Sequence, residues 1–283
     1  MMANDISSTF PEIWTKAFLK NFDNTKTMAT KVNRRFEAVL ANYGDTVRAD
    51  RVNDLSVGSY STNSTITYQD ISSSHATLVL NQSPYVAFRL DDLEKAKSNK
   101  DFAKKTIERS NVAMGLHIDT HLLGLTTDFT HTIGSTGTPI ALDGASILAA
   151  FRLATRTLDD ANVQDEGRCA IVPPAVYEAI GNYSDTKEVD QSLTHMKDKE
   201  PFKMLSGFKL YKSTNMTVTG GSYYTIPIFV SSVTIDHVLR LNPKKVETMR
   251  LESTFGQGFR MLAFYGSKVF EPNTGIKMYL ASS

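Results

Sequence analysis

Hydrophobic residues change period three times along this chain. Phe10, Ile13, Trp14, Ala17 and Phe18 recur at three- and four-residue steps behind Thr9 and Glu12, which have capping-box spacing. That pattern predicts a short amphipathic helix. It is marginal in water unless its apolar face docks; these residues by themselves favour docking on the chain's own core, with a neighbouring subunit as the alternative. From Thr46 to Leu90 the period falls to two. Val86, Phe88 and Leu90 alternate with Ala87 and Arg89, and Leu78 and Leu80 with Thr77 and Val79, as half-buried strands do. The helical period returns at Ala103, Ile107, Ser110, Met114, Ile118, Leu122 and Leu125, behind acidic cap positions Asp91 and Glu94. A continuous helix over 92–124 would be about 50 Å long, with weak points at Ser98-Asn99 and Gly115.

Between the period-two runs lies an unusual ribbon. Over residues 52–75, twelve of twenty-four positions are Ser, Thr or Asn, and seven are sizeable hydrophobes: Val52, Leu55, Val57, Tyr60, Ile66, Tyr68 and Ile71. So little apolar area cannot offset a backbone ordering cost of about 1–2 kcal/mol per residue. The β-branched and aromatic residues nevertheless suit strands. An extended hairpin lying across another molecule satisfies both facts, and a loose surface loop is the competing reading.

After a turn-rich connection over 126–144, Ile147, Phe151, Ala154, Leu158 and Ala161 mark one face of a second helix. A buried strand is expected over 168–172, stopped by Pro173-Pro174, and a short helix over 175–180. After a polar stretch through Glu200, strands are expected over 208–212, 223–230, 238–241, 246–251, 260–264 and 268–270. The fold class is mixed α/β (α+β), with antiparallel tendencies in the last third. Soft boundaries fall near Ala145 and Asp236.

Composition narrows the function classes. Hydrophobic residues make up 41% and charged residues 22%, enough for a packed core. The 31 basic and 30 acidic residues nearly cancel, without the basic face an electrostatic nucleic-acid binder needs. The first sixty residues carry eight Lys/Arg and seven Asp/Glu, so the arm is not basic either. A single cysteine, Cys169, excludes an intrachain disulfide and a multi-cysteine metal site. The start lacks a secretory signal pattern, and the longest apolar run, 147–151, is too short for a membrane span.

The best catalytic candidate is His117-Ile-Asp-Thr-His121, whose histidines share a helix face and could ligate a metal with Asp119, Asp128 or His131. The metalloprotease pattern requires Glu directly after the first His, where Ile118 stands, and both histidines flank the apolar stripe. They read as structural residues, with a metal-dependent enzyme using His117 and His121 as the alternative from another class. Gly134-Ser-Thr-Gly137 lacks a following Gly-Lys-Ser/Thr, and Gly256-Gln-Gly258 lacks a third glycine, so both read as turns. Cys169 sits in an apolar strand and reads as a buried, inert thiol. No catalytic residue, metal or cofactor is assigned.

The order of elements resembles a family. An amphipathic arm, a long polar hairpin, a spine helix, an α/β middle and closing strands are similar to the major capsid proteins of tailed bacteriophages, the Hong-Kong-97-type shell fold. The stretches that carry the resemblance include Asn33-Arg-Arg-Phe-Glu37 leading to Tyr43-Gly-Asp-Thr-Val47, and Ile66-Thr-Tyr-Gln-Asp70 through Pro84 to Leu90-Asp-Asp-Leu93. Arg168-Cys-Ala-Ile-Val-Pro-Pro174, and Arg250-Leu-Glu-Ser-Thr-Phe255 through Phe264-Tyr-Gly-Ser-Lys-Val269, complete it.

The resemblance implies an N-arm over 1–45, an extended loop (E-loop) over 46–90, and a peripheral domain with the spine helix over 91–144. An axial domain over 145–235 and closing peripheral strands over 236–283 follow. It implies self-assembly through pentamers and hexamers into an icosahedral shell around double-stranded DNA in a virion assembled in the host cytoplasm, with portal and decoration proteins as further partners and no membrane. Nothing helical and charged precedes Pro11, so a separate scaffold and an uncleaved coat chain are expected. Phe10, Trp14 and Phe18 of the arm, and Tyr60, Ile66, Tyr68 and Ile71 of the loop, are the expected intersubunit contacts. An encapsulin-like compartment shell is the nearest alternative.

Overall fold

The computed structural model describes residues 28–40, 42–52, 55–63, 65–71, 73–91, 101–186, 204–216, 218, 220–241, 247–251 and 255–282. The expected arm contacts Phe10, Trp14 and Phe18, the helix start at 92–100 and the polar stretch at 187–203 lie outside them.

A six-stranded mixed sheet forms the centre. Its order is β4 (His131–Ile133), β12 (Gly275–Ala281), β8 (Tyr223–Val230), β5 (Arg168–Val172), β7 (Phe208–Lys212) and β6 (Met204–Leu205). Every residue of β5 is buried, as expected of a central strand covered on both faces. That burial includes Arg168, whose guanidinium reaches Asp159 at 2.7 Å, Asp165 at 2.9 Å and the carbonyls of Val163 and Gln164. A cation this deep is tolerated because its donors are met by the end of the preceding helix and the loop that leads into the strand.

Helices α2 (Gly144–Asp160) and α3 (Pro174–Thr186) pack with this sheet. Asp143 caps α2 by accepting from the amides of Ala145 and Ser146; hydrogen bonding from the Ser146 side chain first, and from these amides, holds its carboxyl below the usual range. On α2, Ile147, Ala150, Phe151, Ala154 and Leu158 are buried, and Phe151 meets Phe208 at 5.9 Å between ring centroids. Ala161, expected on this face, is instead the exposed C-cap. The helix expected over 175–180 runs from Pro174 to Thr186, since proline is compatible with a first helical turn.

The spine helix α1 (Asp101–Gly124) passes through Gly115 without interruption and ends in a 3-10 turn, Leu125–Asp128. Met114, Ile118 and Leu122 are buried along its inner stripe, together with Asn111 and Asp119. No described helix is long and apolar enough to cross a membrane.

The closing strands differ from expectation in one instructive way. The two strands expected over 260–264 and 268–270 are a single strand, β11 (Gly256–Val269). Its first half pairs with β3 (Tyr85–Asp91) and β10 (Glu247–Arg250), and its second half with β9 (Ile235–Leu241). Strands β12 and β4, the latter inside the segment expected to be a turn-rich connection, were not anticipated. Their backbone groups pair with each other in parallel, and β12 also pairs with β8.

Candidate intersubunit surface

The polar ribbon rises from a two-stranded base, β1 (Thr46–Val52) and β2 (Ser73–Val79). Their antiparallel partners run from Thr46↔Val79 to Val52↔Ser73, so paired residue numbers always sum to 125. The base is anchored by apolar burial. Leu78 and Leu80 are fully buried with Leu40, Val238 and Phe270, and Phe36, Val47, Ala49 and Phe264 pack around them. Backbone bonds add to this: Gly44 N–H donates to the Leu80 carbonyl, Leu80 N–H to the Asp45 carbonyl, and Gln82 and Tyr265 exchange a reciprocal pair at 3.0 Å.

Gly266 lets the base approach β11 closely. A Cβ at that position would stand 2.2 Å from the Val79 carbonyl oxygen. No rotamer change relieves a clash with backbone.

Beyond the base the ribbon leaves the protein's own body. Every described residue over 55–71 is exposed and belongs to no strand. Nevertheless the hairpin register persists. The Gln69 side-chain amide accepts from the Ser56 N–H at 3.0 Å and donates to the Ser56 carbonyl at 2.7 Å, and 56 and 69 again sum to 125. A side-chain amide thus takes the place of a backbone partner. The turn at Thr62-Asn63 also sums to 125, and Asn63 takes the left-handed conformation at φ 70°, which asparagine tolerates better than most residues. Extending the same sum, Val57 corresponds to Tyr68.

The expected contact residues Tyr60, Ile66, Tyr68 and Ile71 all lie on the projecting part and are exposed, Tyr68 at 90%. Leu55 and Val57, the latter 99% exposed, join them and were not singled out as contacts. Their signal was the one that marked the others: hydrophobes in a segment too polar to cover them. Asp70 is the one charged residue over 55–71, so recognition by this ribbon would be apolar and backbone-directed. A second exposed apolar set lies on and beside the sheet of β10, β11 and β3, at Tyr85, Met249 and the adjoining Phe255. The stacked Phe88 and Phe259 rings, 5.0 Å apart, stiffen that sheet.

The residues considered for catalysis do not converge. His117 is exposed, and His121 is half-buried with its ring edge-on to Tyr265 at 5.1 Å. Burial, and secondarily the neighbouring His117, lower the His121 pKa. Asp119 lies on the inner side of the helix and accepts from the Ala29 amide. Asp128 pairs with Lys268 at 3.6 Å. Among the described residues, no group of three or more His, Cys, Asp and Glu is placed to hold a metal ion. Burial raises the Cys169 thiol to about 12, with Lys31 and Lys209 opposing, which leaves it protonated and unreactive near neutrality.

No protein-family model and no curated protein matches the sequence. Solved structures do resemble it. A chain of Mycobacterium phage Che8 superposes with a TM-score of 0.70 at 19% identity, over 89% of this chain and 90% of that one. The capsid structure of cyanophage P-SCSP1u gives a TM-score of 0.67 at 14% identity, over 92% and 89%. The crystal structure of a virus-like particle from Pyrococcus furiosus gives 0.56 at 13% identity, over 95% and 99%. The likeness covers 89–95% of this chain and 89–99% of those chains. The chain has the fold of the phage capsid proteins.

Proposed function

We propose that this chain is the major shell subunit of a bacteriophage capsid, assembling with copies of itself through its projecting hairpin. The observation that carries the reading is the ribbon over 55–71. It holds a defined register and presents Leu55, Val57, Tyr60, Ile66, Tyr68 and Ile71 to solvent, with nothing among the described residues covering them. An exposed apolar set on an ordered projection is a binding surface. A structure repeated by symmetry gives every copy the same neighbour to dock on.

In this reading residues 1–45 are the N-arm, 46–90 the E-loop, 91–144 and 236–283 the peripheral domain, and 145–235 the axial domain. Phe10, Trp14 and Phe18 add contacts from the arm. The subunit performs no chemistry; its function is many modest contacts summed over pentamers and hexamers that close around double-stranded DNA. The near-neutral charge suits a wall that contains DNA without gripping it at every subunit. A separate scaffold and a portal complete the assembly.

A compartment shell without a viral genome is the second reading. It draws on the Pyrococcus furiosus virus-like particle, 99% of whose chain is spanned, at a lower TM-score than the phage structures.

Deletion of residues 53–73 tests the function. Electron microscopy and light scattering are expected to show large particles for the intact chain and a folded, soluble subunit for the deletion. Equal particle yield from both would overturn docking by the ribbon. A small, monodisperse oligomer carrying stoichiometric zinc or iron would overturn the shell reading and favour the enzyme alternative.

A further inference from the structure

A cavity of about 350 Å³ opens where the first described segment crosses the end of the central sheet, remote in sequence from the ribbon. Four separate stretches of chain line it: 30–34, Gly167 with Cys169, Lys209 with Tyr211, and Ser231. Three of the lining side chains, Lys31, Arg34 and Lys209, are cations, and no carboxylate lines it among the described residues.

The cations are gathered there by structure. The Lys31 ammonium sits 4.3 Å from the centre of the Tyr211 ring, and both lysines act on the Cys169 thiol in the wall. Arg34 is already paired on one side. Its Nε and Nη2 atoms are buried and find no hydrogen-bond acceptor among the described residues, although Glu37 approaches Nε at 3.6 Å. Atoms so buried do not face the cavity, so Arg34 contributes its positive charge to the site rather than these two donors.

We propose that this pocket is an anion site whose ligand is a phosphate group. A phosphate spreads its charge over several oxygens, which suits cations brought together from separate stretches of chain. With Glu37 beside Arg34 counted, a net formal charge of about two remains, more than a single carboxylate neutralises, and Ser231 supplies a hydroxyl donor. The volume accommodates a small phosphorylated molecule but no duplex. The site therefore takes a free or terminal phosphate, and a nucleic-acid backbone would reach only its rim. This inference stands apart from the shell reading, because it rests on none of the ribbon residues.

The test is calorimetric titration of the full chain with inorganic phosphate at constant ionic strength, with chloride as the control and a short blunt duplex, lacking terminal phosphates, as a second arm. Saturable phosphate binding is expected. Lys209→Gln, at an exposed position that should not disturb folding, is expected to weaken it about tenfold, the effect of losing one charge-assisted contact. Glu37→Gln is expected to tighten it, by releasing Arg34 from its nearby carboxylate. Displacement of phosphate by the duplex would overturn the assignment to a free or terminal group. No saturable binding, or binding indifferent to Lys209→Gln, would overturn the site itself.

Discussion

The sharpest consequence of the ribbon concerns Val57 and Tyr68, next to the Ser56–Gln69 contact, which are 99% and 90% exposed. Replacing both with serine removes almost no contact with the other described residues. Its own stability is therefore expected to change by no more than about 0.5 kcal/mol, as for surface substitutions generally. In a docked state the same side chains leave water. Burying a valine and a tyrosine contributes about 3 kcal/mol at the lower end of the usual range, and ordering the tyrosine side chain offsets about 1 kcal/mol. The remaining 2 kcal/mol or so corresponds to about a 30-fold weaker contact. The assay has two arms: thermal unfolding of dissociated subunits, and the protein concentration at which light scattering and sedimentation first report particles. The expected outcome is an unchanged unfolding midpoint with an assembly threshold raised by roughly that factor. An unchanged threshold would refute the reasoning. A large drop in subunit stability would refute it differently, by showing that these residues serve their own fold.

Gly266→Ala places a Cβ against the Val79 backbone, so the hairpin base must shift from β11; a loss of about 3 kcal/mol is expected, at the upper end for overpacking. Denaturant unfolding of the subunit measures it, and amide exchange at Leu80 and Gln82 should accelerate; a wild-type midpoint would refute the close approach. His121 has a lowered pKa in the fold, chiefly from burial, so below about pH 6.5 the unfolded chain binds a proton that the folded one resists. Stability is therefore expected to fall as the pH drops through that value, and His121→Gln to flatten the decline; parallel stability-versus-pH curves for the two proteins would refute it.

Much of the fold is legible along the chain because it is local. The strands at 208–212 and 223–230 have the bounds their composition and flanking turn residues predict, and Met114, Ile118 and Leu122 are the inner stripe of a helix because helical spacing puts them there. The ribbon was legible by deficit: it lacked the hydrophobes to bury itself. Strand β12 carried its signal openly, Ile276, Met278 and Leu280 alternating with Lys277 and Tyr279, yet it escaped notice. Strand β4, three residues long, has no period to read and exists only because β12 lies beside it.

What tertiary structure alone decided are the partners of long sequence separation. Gly266 and Ser267 interrupt the apolar pattern of β11 and suggest two strands. One forms because β3 and β10 pair with its first half and β9 with its second, and backbone pairing is indifferent to side chains. Asp236 is buried against Arg35, 201 residues earlier, at 2.6 Å; Asp119 meets the amide of Ala29, 90 residues earlier. The basic pocket draws Lys31, Arg34, Lys209 and Ser231 from strands and turns scattered over 200 residues. Periodicity records which side of an element faces the core, because that is a property of neighbouring residues. It holds no record of which distant segment supplies the other half of an ion pair or the far wall of a cavity, since chain connectivity places no constraint on that meeting until the core has closed.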